Sequence, residues 1–210
     1  GVAPYGVPFV LRLSGAVDVG VLLGALRVVA GRHDVLRGVV RGSGSGPVFV
    51  VSDEVDPDFE VVVPPVGVGD EVGWVRDFVA ADALVRFDAG VSLWRVRVFP
   101  LSGGEQIVYF CFHHLVMDEW SWGLFLADLA GELDRPGISV AGLQYGDYAV
   151  WQRSRGGVGS DVVRARVAEL GGYPARLEIP VDRPRPVVKS YEGDRVGFSV
   201  GEGVLAGLRR

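Results

Sequence analysis

The sequence predicts an α/β domain, and three observations lead to that class. The stretch Gln106-Ile107-Val108-Tyr109-Phe110-Cys111 is continuously apolar after Gln106 and rich in β-forming side chains. That composition marks a strand buried on both faces. Directly after it, Trp122, Phe125, Leu126, Leu129 and Leu133 recur at helical spacing, as Val19, Leu22, Leu23, Leu26 and Val29 do earlier. Glycine-rich turns between short β-prone runs complete the pattern.

Residues 8–14 read as an extended segment, and Asp18 is placed to cap the first helix, which runs into Arg32-His33-Asp34-Val35-Leu36-Arg37. Residues 36–41 and 48–51, joined through Gly42-Ser43-Gly44-Ser45-Gly46, predict a hairpin. Residues 60–63 predict a further short strand, stopped by Pro64-Pro65, and Val72, Val75, Phe78, Val79 and Leu84 predict a helix over 71–87, less regular after Ala81. Residues 93–99 alternate apolar and basic, as a half-exposed strand does, and Ser102-Gly103-Gly104 turns them into the central strand as a second hairpin. Pro136-Gly137 ends the central helix. Residues 145–152 predict a short amphipathic helix, residues 161–170 another stopped by Gly171-Gly172, and residues 179–186 an extended, proline-punctuated segment. A strand is expected over 195–200. The last residues lie just inside a new helix, so the chain reads as one piece of a larger enzyme.

A chain of 210 residues suffices for one large domain or one lobe of a bigger enzyme, and an apolar fraction of 49% excludes a disordered protein. A net charge of −5 argues against general nucleic-acid binding. No apolar run approaches a membrane span, and the single cysteine, Cys111, excludes an internal disulfide framework and fits a cytoplasmic setting.

Between the apolar strand and the central helix lies Phe112-His113-His114-Leu115-Val116-Met117-Asp118-Glu119-Trp120-Ser121. Side chains at such a junction project from rigid elements into whatever cleft lies there. Adjacent strand residues point to opposite faces, so His113 and His114 are expected to differ in role. Asp118 or Ser121 can cap the helix, and Asp118 can also hold an Arg or a His in place. On chemistry alone two readings stand together: a satisfied histidine pair with a capping Asp, and a catalytic imidazole. A metal site lacks ligands, since only His33 remains elsewhere and Cys111 sits in an apolar strand. Tyr148 and Trp151 read as core or lobe-packing residues, His33 as support for a helix end, and Cys111 as structural.

These segments carry a resemblance that covers nearly the whole chain. His113-His114-Leu115-Val116-Met117-Asp118 resembles the HHxxxD motif of condensation domains from nonribosomal peptide synthetases. Arg32-His33-Asp34-Val35-Leu36-Arg37 is similar to their RHxxLR motif, and Phe87-Asp88 with Leu93-Trp94-Arg95-Val96 to their strand entering the core hairpin. Tyr145-Gly146-Asp147-Tyr148-Ala149-Val150-Trp151-Gln152 resembles YxDYAVWQ, and Asp182-Arg183-Pro184-Arg185-Pro186 resembles DRPRP. Five motifs in the family's order favour the catalytic reading of the histidines.

The resemblance implies a chloramphenicol acetyltransferase-like lobe with a mixed sheet flanked by helices, one half of a V-shaped two-lobe domain. Residues 1–210 are then the N-terminal lobe, with the C-terminal lobe that completes the tunnel absent. The implied reaction is peptide-bond formation: an acceptor amine attacks a donor thioester. Both substrates ride on 4'-phosphopantetheine arms of donor and acceptor peptidyl carrier proteins, beside an adenylation domain. The lobe itself is expected to bind no cofactor and no metal, and to be inactive without its second lobe. His114 is implied as the catalytic residue, acting as a general base or orienting the amine and stabilising the tetrahedral intermediate. His113 is expected to pack or hydrogen-bond beneath the site. Asp118 is expected to form a structural ion pair, with Arg37 as its partner. Glu119 stands where the family usually has Gly, and the helix start welcomes its carboxylate; it and Ser121 are expected to support the site. An epimerization domain, which shares HHxxxD, and a degenerate member that only recruits partners are the competing readings.

Overall fold

The computed structural model describes residues 5–15, 17–54, 56–137, 142–155, 160–174, 177–184, 186–188 and 196–209. They fall into two compact units, Gly1–Gly172 and Tyr173–Arg210. The apolar run of the sequence is the central strand of the first unit. There, β1 (Gly6–Leu13), β4 (Asp58–Val61), β5 (Trp94–Pro100) and β6 (Gln106–His113) form a four-stranded sheet in the order β1-β6-β5-β4. β1, β6 and β5 pair antiparallel and β4 joins β5 in parallel, so the sheet is mixed. β6 reads as unbroken apolar sequence because it has a strand on each side and a helical layer on each face.

The period of two along β6 assigns its side chains to those layers. Val108, Phe110 and Phe112 pack with Leu22, Leu26 and Val29 of α1 (Val19–Arg32) and with Phe125 and Leu129 of α3 (Glu119–Asp134). Ile107, Tyr109 and Cys111 face the other way, with Val75, Trp74 and Phe78 of α2 (Glu71–Asp82). Each fully buried Phe stabilises the unit by roughly 1.5–3 kcal/mol. Asp18 caps α1 by accepting from Val21 N–H at 3.0 Å, as the sequence predicts.

The same layering corrects the reading of β5 as half-exposed. Trp94, Val96 and Val98 face α1 and α3, but the basic face is covered too, and Arg95 is buried. Its guanidinium lies against α2, where Nε donates to Asp82 Oδ2 at 2.6 Å and Nη2 to the Asp82 carbonyl. Arg97 donates to Asp58 at 2.8 Å from β4. Burial is tolerated because each of these two cations has a carboxylate.

Asp34–Arg37 forms a single 3₁₀ turn after α1, and β2 (Gly38–Ser43) and β3 (Gly46–Val51) make the first hairpin as a separate two-stranded sheet. Gly46, at φ 116°, takes the left-handed conformation the turn needs. The indole N–H of Trp94 donates to the Leu36 carbonyl at 2.7 Å and anchors the 3₁₀ turn to the sheet. α4 (Tyr145–Ser154) follows, tied back by Gln144, which donates to the Arg32 carbonyl at 3.1 Å and accepts from Asp34 N–H at 2.9 Å. α5 (Asp161–Leu170) ends at Gly171.

Tyr148 and Trp151 are exposed on α4 rather than in a core, and they lean on one another at 5.8 Å. No residue of α4 is buried, and Tyr148 faces the open cleft towards the 3₁₀ turn and α3 rather than a closed core. In the second unit α6 (Glu202–Leu208) forms as expected. The strand expected over 195–200 does not: residues 196–200 carry no strand, and Val196 and Phe198 are exposed. An alternating run needs a neighbouring strand to pair with, and the described residues of this unit offer none. Arg195, and Arg185 of the DRPRP segment, lie outside the described residues.

Candidate active site

The histidine pair sits where β6 leaves the middle of the sheet. His113 is the last residue of β6, paired with Gly6, and its N–H donates to the Leu93 carbonyl at 2.7 Å. His114 is already in the turn, so the two are not neighbours on one strand as the sequence suggests; the expected difference in surroundings nevertheless holds. His113 is half-buried and His114 exposed.

His113 is held by three contacts. Its ring stacks on Tyr5 at 5.7 Å and meets the ring of Phe87 edge to face at 5.9 Å. Nδ1 accepts from Leu115 N–H at 3.0 Å, which places the proton of the neutral ring on Nε2. Burial, and then the neighbouring His114, push the His113 pKa below its ordinary value, so the neutral ring is favoured. The turn is pinned from both sides. His114 N–H donates to the Tyr5 carbonyl at 2.7 Å, and Val116 N–H to the His113 carbonyl at 3.0 Å. The imidazole of His114 has no hydrogen-bond partner among the described residues. A fixed backbone thus presents an exposed imidazole whose two nitrogens are unpartnered among the described residues.

Asp118 is the N-cap of α3, and the expected ion pair with Arg37 is not formed. Its Oδ1 accepts from Ser121 N–H at 2.7 Å and from Ser121 Oγ–H at 2.6 Å. Those two bonds, the hydroxyl first, hold the exposed carboxylate below its usual pKa range, with the His114 imidazole adding a smaller pull. Arg37 donates instead to Asp34 at 2.6 Å and to the Ser52 carbonyl. The physical reason is local geometry: a 3₁₀ turn brings residues three apart into register, so Asp34 reaches Arg37 first. Ser121 is therefore an integral part of the cap. Glu119 lies exposed in the first turn of α3, where a carboxylate suits the helix dipole.

Several neighbours were not legible in the sequence. Arg32 is buried and donates to Glu132 at 2.9 Å across α1 and α3, while His33 Nε2 lies 2.5 Å from Asp128 Oδ2. His33 thus supports the end of α1, as expected. Tyr109 O–H donates to the same Asp82 that holds Arg95, at 2.8 Å. The only advance signal was the alternation of Arg95 and Arg97 with apolar residues along β5. A cleft of ≈ 470 Å³ opens beyond the turn between the 3₁₀ turn, α3 and α4, lined in part by Leu36, Met117, Ser121, Phe125 and Tyr148. Neither histidine of the pair lines it. Among the described residues no cluster of three or more His, Cys, Asp or Glu is placed to hold a metal ion. No described helix is long and apolar enough to cross a membrane.

A mixed sheet covered by helices on both faces, with an HHxxxD turn at the end of its central strand, defines the class of lobe, and comparison with known proteins names the family. The condensation-domain model matches residues 3–210, and the chain belongs to the condensation-domain family. Phosphinothricin tripeptide synthetase PhsB of Streptomyces viridochromogenes is 32% identical over 99% of the chain. Bacitracin synthase 3 of Bacillus licheniformis is 27% identical over 98%. The chain spans 18% of the first relative and 3% of the second. Among solved structures, the X-domain from teicoplanin biosynthesis superposes with a TM-score of 0.73 at 27% identity, over 88% of this chain and 42% of that one. That X-domain is also known in a complex with OxyB.

Proposed function

We propose that this chain is the histidine-bearing lobe of a peptide-bond-forming condensation domain, with His114 as its catalytic residue. The observation that carries the reading is the geometry of the turn: an exposed imidazole, free of partners among the described residues, on a backbone tied to Tyr5 and His113. Donor and acceptor arrive as thioesters on phosphopantetheine arms of carrier proteins, in a synthetase that also holds an adenylation domain. The acceptor nitrogen bonds to the donor carbonyl carbon, the carbon–sulfur bond breaks, and the departing thiolate takes up a proton. His114 takes the proton from the attacking amine or steadies the tetrahedral intermediate. Holding two tethered reactants together supplies much of the acceleration. The open surroundings of His114 fit a site that a second lobe completes, so the lobe by itself is inactive.

A second reading, recruitment of a partner protein without catalysis, is favoured by the X-domain in its complex with OxyB. The test uses the full-length protein that contains this chain, with donor and acceptor loaded on carriers and the acceptor-bound dipeptide followed by mass spectrometry. Dipeptide that vanishes in His114→Ala supports condensation through His114. A folded wild type that makes none points to recruitment, or to epimerization where the carrier-bound residue inverts its stereocentre.

A further inference from the structure

The α2 face of the sheet holds a continuous chain of contacts from a buried ion pair to the site. Asp82, at the C-terminal end of α2, accepts from Arg95 Nε at 2.6 Å and from Tyr109 O–H at 2.8 Å. Arg95 also donates to the Asp82 and Val85 carbonyls, so its guanidinium is fixed in plane and position. That group lies 4.4 Å over the ring of Phe87. Phe87 in turn packs edge to face against His113, whose Nδ1 holds the Leu115 N–H of the turn that carries His114. Arg95 and His113 share the face because β5 and β6 alternate in step: Arg95 pairs with Cys111, two residues before His113.

We propose that Phe87 and Arg95 are positioning residues for the active-site turn, setting the ring orientation and tautomer of His113 and through it the placement of His114. A cation over an aromatic face is attractive chiefly where water is excluded, as at a buried Arg95. A Phe held in that way is a rigid wall rather than a mobile apolar side chain. With the wall in place, His113 keeps Nδ1 aimed at Leu115 N–H. Without it, the ring can turn, and the Leu115 N–H loses its acceptor. The catalytic meaning of this arrangement rests on the condensation reading, but the ring geometry does not.

The test pairs two readouts. Nitrogen-15 spectra of the imidazoles in this chain report which His113 nitrogen carries the proton. Condensation kinetics in the full-length protein report the consequence. Phe87→Leu keeps an apolar side chain but removes the wall; Arg95→Lys keeps the charge beside Asp82 but removes the planar group over Phe87. Both variants are expected to mix the His113 tautomers and to lower kcat about tenfold or more with little change in KM, since a small misplacement of a reacting group is costly. Tautomers unchanged in folded samples of both variants overturn the proposal. So do mixed tautomers with an unaltered kcat. A wild type that does not condense overturns the condensation reading, and the spectra still decide the positioning.

Discussion

At His113 a single proton controls a backbone bond. Nδ1 accepts from Leu115 N–H, and protonation there replaces an acceptor with a donor. The folded state lowers the His113 pKa from 6.5, so the unfolded chain binds more protons in the window just below 6.5. The stability this group contributes is complete above about pH 6.5 and falls as pH drops through that value towards the lower folded pKa. His113→Asn retains an acceptor near the Nδ1 position but cannot titrate. Its thermal midpoint is therefore expected to fall less than that of the wild type between pH 7 and 5, as differential scanning calorimetry would show. At His114, by contrast, exposure means that His114→Ala changes stability by no more than about 0.5 kcal/mol, the usual range for an exposed side chain. A urea titration showing a larger loss would argue that His114 is structural.

Two helices carry the consequences at the scale of elements. The start of α3 depends on Asp118 as an acceptor and not as an ion-pair partner. Asp118→Asn keeps the capping oxygen and is expected to hold its thermal midpoint at pH 7, while Asp118→Ala lowers it. Equal losses in the two variants would restore a charge-dependent role. Where α1 crosses α3, Arg32 and Glu132 are both buried, and Glu132 also accepts from Gly137 N–H at 2.9 Å. Glu132→Ala leaves the guanidinium buried beside only the more distant Asp128, and a loss of about 3–5 kcal/mol in urea denaturation is expected. Replacing both partners with apolar residues, Arg32→Met with Glu132→Leu, recovers much of that loss, because no uncompensated charge then remains.

At the largest scale the sheet organises the first unit, and β6 is its centre. Phe112 packs with Trp94 at 5.6 Å and Phe125 at 5.4 Å on the α1–α3 face, one residue before the histidine pair begins. Phe112→Ala is expected to destabilise the chain by about 3–5 kcal/mol, the cost of removing a buried aromatic and leaving a cavity. Chemical denaturation measures this directly, and a loss under about 1 kcal/mol would show that this face tolerates repacking. The position of the pair is a whole-molecule property as well. A turn that leaves a central strand has rigid neighbours on both sides, which is how an exposed imidazole can sit on a fixed backbone.

Periodicity and local chemistry were enough to determine much of this chain from its sequence. The buried character of β6, the helical spacing of α1 and α3, the glycine turns of both hairpins and the capping role open to Asp18 and Asp118 all depend on residues a few positions apart. The family motifs likewise identified the histidine pair. Tertiary structure alone decided which long-range partners met. Arg95 in an alternating strand looks solvated until α2 is seen to cover that face, and Arg37 looks free for Asp118 until the 3₁₀ turn delivers Asp34 to it. Tyr148 and Trp151 read as core or lobe-packing residues, and their exposure on α4 removes only the first of these readings. Hydrophobic period reports how much of a side chain seeks burial, not which element supplies it. Buried charges are placed by partners that can lie thirteen or a hundred residues away, as Asp82 does for Arg95 and Glu132 for Arg32.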